Sequence, residues 1–180
     1  MMLLMSALQS PDIHHLNAAE GWLELGNHRE ALAELDCISA AAQGRLEVLG
    51  VRWSITAQFK AWEECVRIAT SIVALAPSEV FGWIHRSYAL HELKRTQEAR
   101  DLLLPAVKLF PKNETIPYNL ACYECQLGEV AAARDWLRRA MKLRQPAALK
   151  AQALEDPDLK PLWPELKTMP VAAKGSASDE

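Results

Sequence analysis

Cys122 and Cys125 are the residues whose type and spacing come nearest to chemistry. They form a Cys-x-x-Cys, and on a helix positions i and i+3 share a face, so the two thiols could bind a metal jointly. His91 falls at the equivalent depth of the neighbouring helix and is a candidate third ligand. A structural zinc site needs four ligands, and a redox pair normally follows a strand. Neither context is present, so the pair reads as two small helix-packing residues. His14-His15 point apart on a helix and make poor joint ligands. Cys37 and Cys65 read as buried thiols. The chain has no Gly-rich phosphate loop, no G-x-S-x-G and no H-E-x-x-H. The sequence therefore predicts no catalytic residue, no metal and no cofactor.

The elements that carry these residues recur at a fixed interval. Ala31, Cys65, Ala99 and Ala133 are spaced by 34 residues, and all are small. Leu35, Ala69, Leu103 and Leu137 share a second place, and Ile38, Ile72, Ala106 and Ala140 a third. Pro77 and Pro111 close two of the units, where Gln43 and Gln145 stand in the other two. Four units follow without insertion, 12–45, 46–79, 80–113 and 114–147. In the third, Trp83, Ser87, Leu90, Ala99, Leu103, Ala106 and Pro111 fall where a tetratricopeptide unit has its large, small and bulky landmarks.

The chain thus resembles the tetratricopeptide-repeat (TPR) family. The resemblance implies an all-α fold, a right-handed α-α superhelix of four helix-turn-helix repeats with a C-terminal capping helix. It also implies a non-catalytic protein that presents a surface to a partner. Two departures stand out. Arg52 and Trp53 replace a leucine and a small residue, and Glu124 replaces an aromatic. The second unit is accordingly expected to deviate most from regular geometry.

Composition fits one domain over 1–167, with a cap at 147–167 and a disordered tail at 168–180. A net charge of −3 from 20 basic and 23 acidic side chains speaks against nucleic acid, which needs a concentrated basic surface. The most basic patch, Arg134, Arg138, Arg139, Lys142 and Arg144, reads as a solvated helix face. No apolar run reaches the ~20 residues of a membrane span. Met1–Leu8 is apolar, with no basic residue before it and no small-x-small cleavage site, so it does not read as a signal peptide. Its alternatives are a frayed extra turn, a start codon upstream of the usual one, or a segment lying in the groove. The expected location is the cytoplasm, with the thiols reduced.

Helices are expected at about 12–25, 29–42 (ended by Gly44), 46–59, 63–75, 79–93, 96–110, 115–127, 130–143 and 147–154. Pro105 should kink the sixth. Asp156 to Pro164 holds three prolines and reads as a lid, with Leu159, Leu162 and Trp163 covering the last unit. Trp22, Trp83 and Trp136 read as core.

In this family the first helix of each pair lines a concave wall. Helical spacing places Ile13, Leu16, Asn17, Glu20, Leu23 and Glu24 there from the first unit. The second unit supplies Glu47, Gly50, Val51, Ser54, Ala57 and Gln58. The third supplies Phe81, Ile84, His85, Tyr88, His91 and Glu92, and the fourth Thr115, Tyr118, Asn119, Cys122, Cys125 and Gln126. The wall carries no Lys or Arg, which excludes the carboxylate-gripping mode of the chaperone-binding branch. The expected partner surface is Leu16, Glu20, Phe81, Ile84, His85, Tyr88, His91, Tyr118, Asn119 and Cys122, with the aromatic and aliphatic members as anchors for a peptide or protein segment. The alternative is an assembly subunit that joins copies of itself or a larger complex through its ends or convex face. The chain is expected to be a monomer or a weak homo-oligomer.

Overall fold

The computed structural model describes residues 8–170. The expectations for 1–7 and for 171–180 lie outside the described residues. The elements are α1 (Asp12–Glu24), α2 (His28–Cys37), α3 (Leu46–Gln58), α4 (Trp62–Leu75), α5 (Val80–Glu92), α6 (Thr96–Leu103), α7 (Ala106–Leu109), α8 (Thr115–Gln126), α9 (Val130–Leu143), α10 (Pro146–Glu155), a 3₁₀ helix (Pro157–Leu162) and α11 (Trp163–Thr168). No strand occurs among the described residues. The contacts divide the chain into two compact units, with the boundary inside α5 between Ala89 and Leu90. The sequence reads as one domain over 1–167; a repeat array needs no single core, because each unit leans only on its neighbours.

The 34-residue period is written in the backbone. The turn between the two helices of each pair holds one residue in the left-handed region: Gly26 (φ 75°), Lys60 (55°), Lys94 (63°) and Gly128 (86°). The N–H after each turn residue reaches back to close the helix. Asn27 donates to Trp22 O, Ala61 to Thr56 O, Arg95 to Leu90 O and Glu129 to Glu124 O, at 2.8–3.3 Å. These are Schellman closures, in which a left-handed residue satisfies carbonyls that the helix end leaves open.

In the first unit, α1 packs on α2 and on α3, and α3 on α4. One core cluster joins Leu16, Ala19, Ala31, Leu35, Ile38, Val48 and Ile55. A second joins Trp53, Cys65, Ile68, Ala69, Ile72 and Ala89. The small residues at the shared repeat place, Ala31 and Cys65, are fully buried, which lets the helices approach closely. Gly82 has the same role more strictly. A Cβ there would lie 2.9 Å from the backbone nitrogen of Val73 and from the Cγ2 atoms of Ile72 and Val73.

The irregular places differ from those expected. The second pair is regular, with helices of 13 and 14 residues. Arg52 turns out to stitch the first pair, donating to Asp36 Oδ1 at 3.0 Å, Leu35 O at 3.3 Å and Gln43 Oε1 at 2.8 Å. Helix α2 stops at Cys37 rather than near residue 42, with Ile38 extended. Gly44 is not the cap. The Gln43 carboxamide donates to Leu35 O at 2.7 Å and Ile38 O at 2.8 Å, doing with a side chain what continued helix would have done. The early stop leaves Cys37 exposed, against the buried thiol expected there. The sixth helix breaks at Leu104-Pro105 into α6 and α7. Proline lacks the N–H that would bond to Asp101, so the expected kink becomes a break.

In the second unit, α8 packs against α6 and α9, and the 3₁₀ helix packs against α8, α9 and α10. Leu159, Leu162 and Leu166 are buried there, and the Trp163 indole donates to Ala153 O at 2.9 Å. Asn113 caps α8, its Oδ1 accepting from the N–H groups of Thr115 and Ile116 at 3.0 and 3.2 Å. Glu124, out of place as an aromatic substitute, is buried and paired with Arg100 of α6 at 3.4 Å.

Candidate functional site

The first unit holds an open groove of about 770 Å³. Glu20, Leu23 and Glu24 of α1 form one wall, and Glu47, Gly50, Val51 and Ser54 of α3 the other. Leu46, Ile72, Glu79 and Phe81 complete the lining. Helical period explains the walls: Glu20 and Glu24 are one turn apart, as are Glu47, Gly50 or Val51, and Ser54, so each set faces one way. The groove stays open because Gly50, Val51 and Ser54 of the α3 wall are small. A Cβ on Gly50 would meet nothing within 4 Å.

Four carboxylates and no Lys or Arg line this groove. Glu47 is paired with Arg45 at 2.8 Å. Glu20, Glu24 and Glu79 are exposed and make no ion pair among the described residues. Next to it, aromatic rings pack on one another. Phe81 stacks on His85 with ring centroids 3.7 Å apart, and Trp53 meets His85 edge-on at 4.3 Å and Phe81 at 6.0 Å. His85 Nδ1 lies 2.8 Å from Phe81 O, an acceptor, so Nδ1 carries the proton and donates. Burial among these rings holds the His85 pKa below its ordinary value.

Of the ten residues expected at the partner surface, the structure does not place all on open ground. Glu20 and Phe81 line the groove. Ile84 and His85 are half-buried, and Tyr88 is 40% exposed with its ring against Trp62. Leu16 is a correction: it is core, in the cluster with Ala19 and Ala31. His91, Tyr118 and Cys122 are corrections too, since each is buried in the second unit. Asn119 is half-buried beside a cavity of about 100 Å³ that Tyr118 and Leu149 also line. Trp22, expected in the core, is 37% exposed.

The three buried residues are held by the segment expected to be a lid. Asp156 accepts from Tyr118 Oη at 2.9 Å and from Cys122 Sγ at 3.6 Å. Asp158 lies 2.9 Å from His91 Nε2, while His91 Nδ1 lies 3.0 Å from Thr96 Oγ1. Burial, followed by the two aspartates, pushes the Cys122 thiol well up, and Cys125 up to about 11. Burial and Asp156 likewise raise Tyr118. The same burial and neighbouring aspartates that raise these thiols favour their neutral, protonated form. No group of three or more His, Cys, Asp or Glu side chains among the described residues is arranged to hold a metal ion. No helix among them is long and apolar enough to cross a membrane.

Sequence reasoning finds most of the groove walls but not Leu46, Ile72 and Glu79. By its repeat place Ile72 reads as packing on the second helix of its pair. Glu79 lies just ahead of α5, outside the helical period that defines the wall. Asp156 and Asp158 read only as parts of a proline-rich stretch. The signal for them is the Asp-Pro-Asp spacing itself, in which Asp156 Oδ1 accepts the Asp158 N–H at 3.0 Å and starts the 3₁₀ turn.

No protein-family model and no curated protein matches the chain. Solved structures do match in fold. A MamA double mutant of strain RS-1 superimposes with a TM-score of 0.68 at 13% identity, over 76% of each chain. MamA 41-end from Desulfovibrio magneticus RS-1 gives 0.66 at 14% identity, over 72% of this chain and 73% of that one. TTC0263, a thermophilic TPR protein of Thermus thermophilus, gives 0.63 at 18% identity, over 88% of this chain and the whole of that one. The fold is therefore all-α and of the tetratricopeptide-repeat class, an array of helix-turn-helix pairs. The 34-residue backbone turns and the superpositions agree on this independently.

Proposed function

We propose that this chain is a non-catalytic interaction scaffold that holds a peptide or protein segment in the groove between α1 and α3. The observation that carries the reading is the groove itself: about 770 Å³ of open space lined by acidic residues together with the apolar Leu23, Val51 and Phe81. Cavities of this size with a mixed apolar and charged lining suit a bound chain segment. Cys122 and Cys125 are buried, which makes the open groove the better candidate for a partner. Four free cysteines accord with a reducing, cytoplasmic setting.

The test is Gly50→Phe. The new ring enters open space, so the fold is kept while the groove is filled. Affinity capture followed by mass spectrometry should lose its specific partners in this variant and keep them in Tyr88→Glu with Ile84→Glu. Retention of every partner by a folded Gly50→Phe would remove the groove from consideration.

A second reading, assembly through an outer edge, draws on exposed apolar side chains at the helix turns. Leu25 is 77% and Phe59 49% exposed, one repeat apart. Leu25→Lys with Phe59→Lys should dissociate any self-assembled species seen by light scattering if that edge is the contact.

A further inference from the structure

We infer that the occupant of the α1–α3 groove is a cationic segment, one that sets Lys or Arg side chains on either side of an aliphatic or aromatic anchor. The inference rests on the groove reading above and specifies its ligand.

Charge complementarity argues for it at two levels. Within the groove, Glu20 and Glu24 stand one turn apart on α1, Glu47 lies on the α3 wall, and Glu79, just before α5, joins the lining. Three of these four carboxylates have no cation of their own among the described residues. Leu23 shares the α1 wall with Glu20 and Glu24, Val51 shares the α3 wall with Glu47, and Phe81 joins the lining, so the acidic groups are interspersed with apolar side chains instead of forming a separate patch. A segment with a basic side chain on each side of an apolar one meets both features at once. An acidic segment would add its charge to uncompensated carboxylates and be repelled. Across the unit, residues 1–89 carry ten acidic and six basic side chains, whereas residues 90–180 carry thirteen and fourteen. The acidic excess of the whole protein thus belongs to the unit that holds the groove, and it draws a basic partner towards that unit.

The test uses two fluorescein-labelled twelve-residue peptides, one of alternating Leu and Lys pairs and one of Leu and Glu pairs, read by fluorescence anisotropy. The wild-type chain should bind the Lys peptide and not the Glu peptide. Glu20→Lys with Glu24→Lys should weaken Lys-peptide binding by about tenfold, since two attractions become repulsions. Glu30→Lys with Glu63→Lys changes the net charge equally, at exposed positions outside the groove, and should change binding by less than about threefold. Circular dichroism confirms that each variant is folded. Equal weakening by both double variants would overturn the inference, because attraction would then follow total charge alone. Gly50→Phe separates the two readings. If it abolishes binding of both peptides while the charge variants do nothing, the groove stands and its cationic preference falls. If the Lys peptide still binds Gly50→Phe at full strength, both fall.

Discussion

Lys60 and Lys94 occupy the left-handed turn places that glycine fills in the first and fourth units. An L side chain is disfavoured there by about 1 kcal/mol, a strain that glycine does not carry. Lys60→Gly and Lys94→Gly should each stabilise the fold by about 0.5–1 kcal/mol, and Gly26→Ala should destabilise it by about 1 kcal/mol, as measured by urea unfolding. His85 makes a second prediction at this scale. Its imidazolium is disfavoured by burial, so the folded pKa lies below the ordinary value of 6.5. The unfolded chain then binds the proton more readily. The stabilisation from His85 is whole above pH 6.5 and is lost as the pH falls through 6.5 towards the folded value. Unfolding midpoints at about pH 7.5, 6.0 and 5.0 should therefore decline in the wild type, and decline less in His85→Phe.

At the scale of the element, two of the helical glycines, Gly21 and Gly82, should behave oppositely. Gly21→Ala adds a methyl group to open space in α1 and should stabilise by up to about 1 kcal/mol. Gly82→Ala drives a methyl group against the backbone of α4 and should destabilise by about 1–3 kcal/mol. Thermal unfolding of the two variants side by side decides this. The helix pairs are legible in the sequence because small residues at 31, 65, 99 and 133 recur in register, and packing of this kind constrains residue type. The early end of α2 is not legible, because it depends on Gln43 reaching back over five and eight residues to carbonyl groups and on Arg52 holding Gln43 in place. The groove is half legible. Helical period gives Glu20, Leu23, Glu24, Glu47, Gly50, Val51 and Ser54, yet it also places His91, Tyr118 and Cys122 on open ground. Period tells which way a side chain faces. It does not tell that a segment more than thirty residues further along the chain covers it.

At the scale of the molecule, the C-terminal segment decides how the second unit ends. Its 3₁₀ helix covers α8 and α9, and its two aspartates satisfy Tyr118, Cys122 and His91. A chain stopped after Glu155 leaves those polar groups and the neighbouring leucines without cover. Hydrogen exchange should then speed up across α8 and α9 and stay unchanged across α1 and α2, since a repeat leans only on its neighbours. Equal loss of protection in all four helices would mean that the chain unfolds as one cooperative body. The evenly spaced turns at 26, 60, 94 and 128 carry a genetic consequence. The backbone arrives at and leaves each of them with the same bonds, so the turns at 26 and 60 can serve as crossover points that spare the helices beneath the terminal segment. A duplication or deletion of 34 codons, or a multiple of 34, keeps reading frame and helix register together, whereas an indel of another length breaks the register even when it spares the frame. A change of repeat number made ahead of α5 then leaves the terminal segment the same helices to cover.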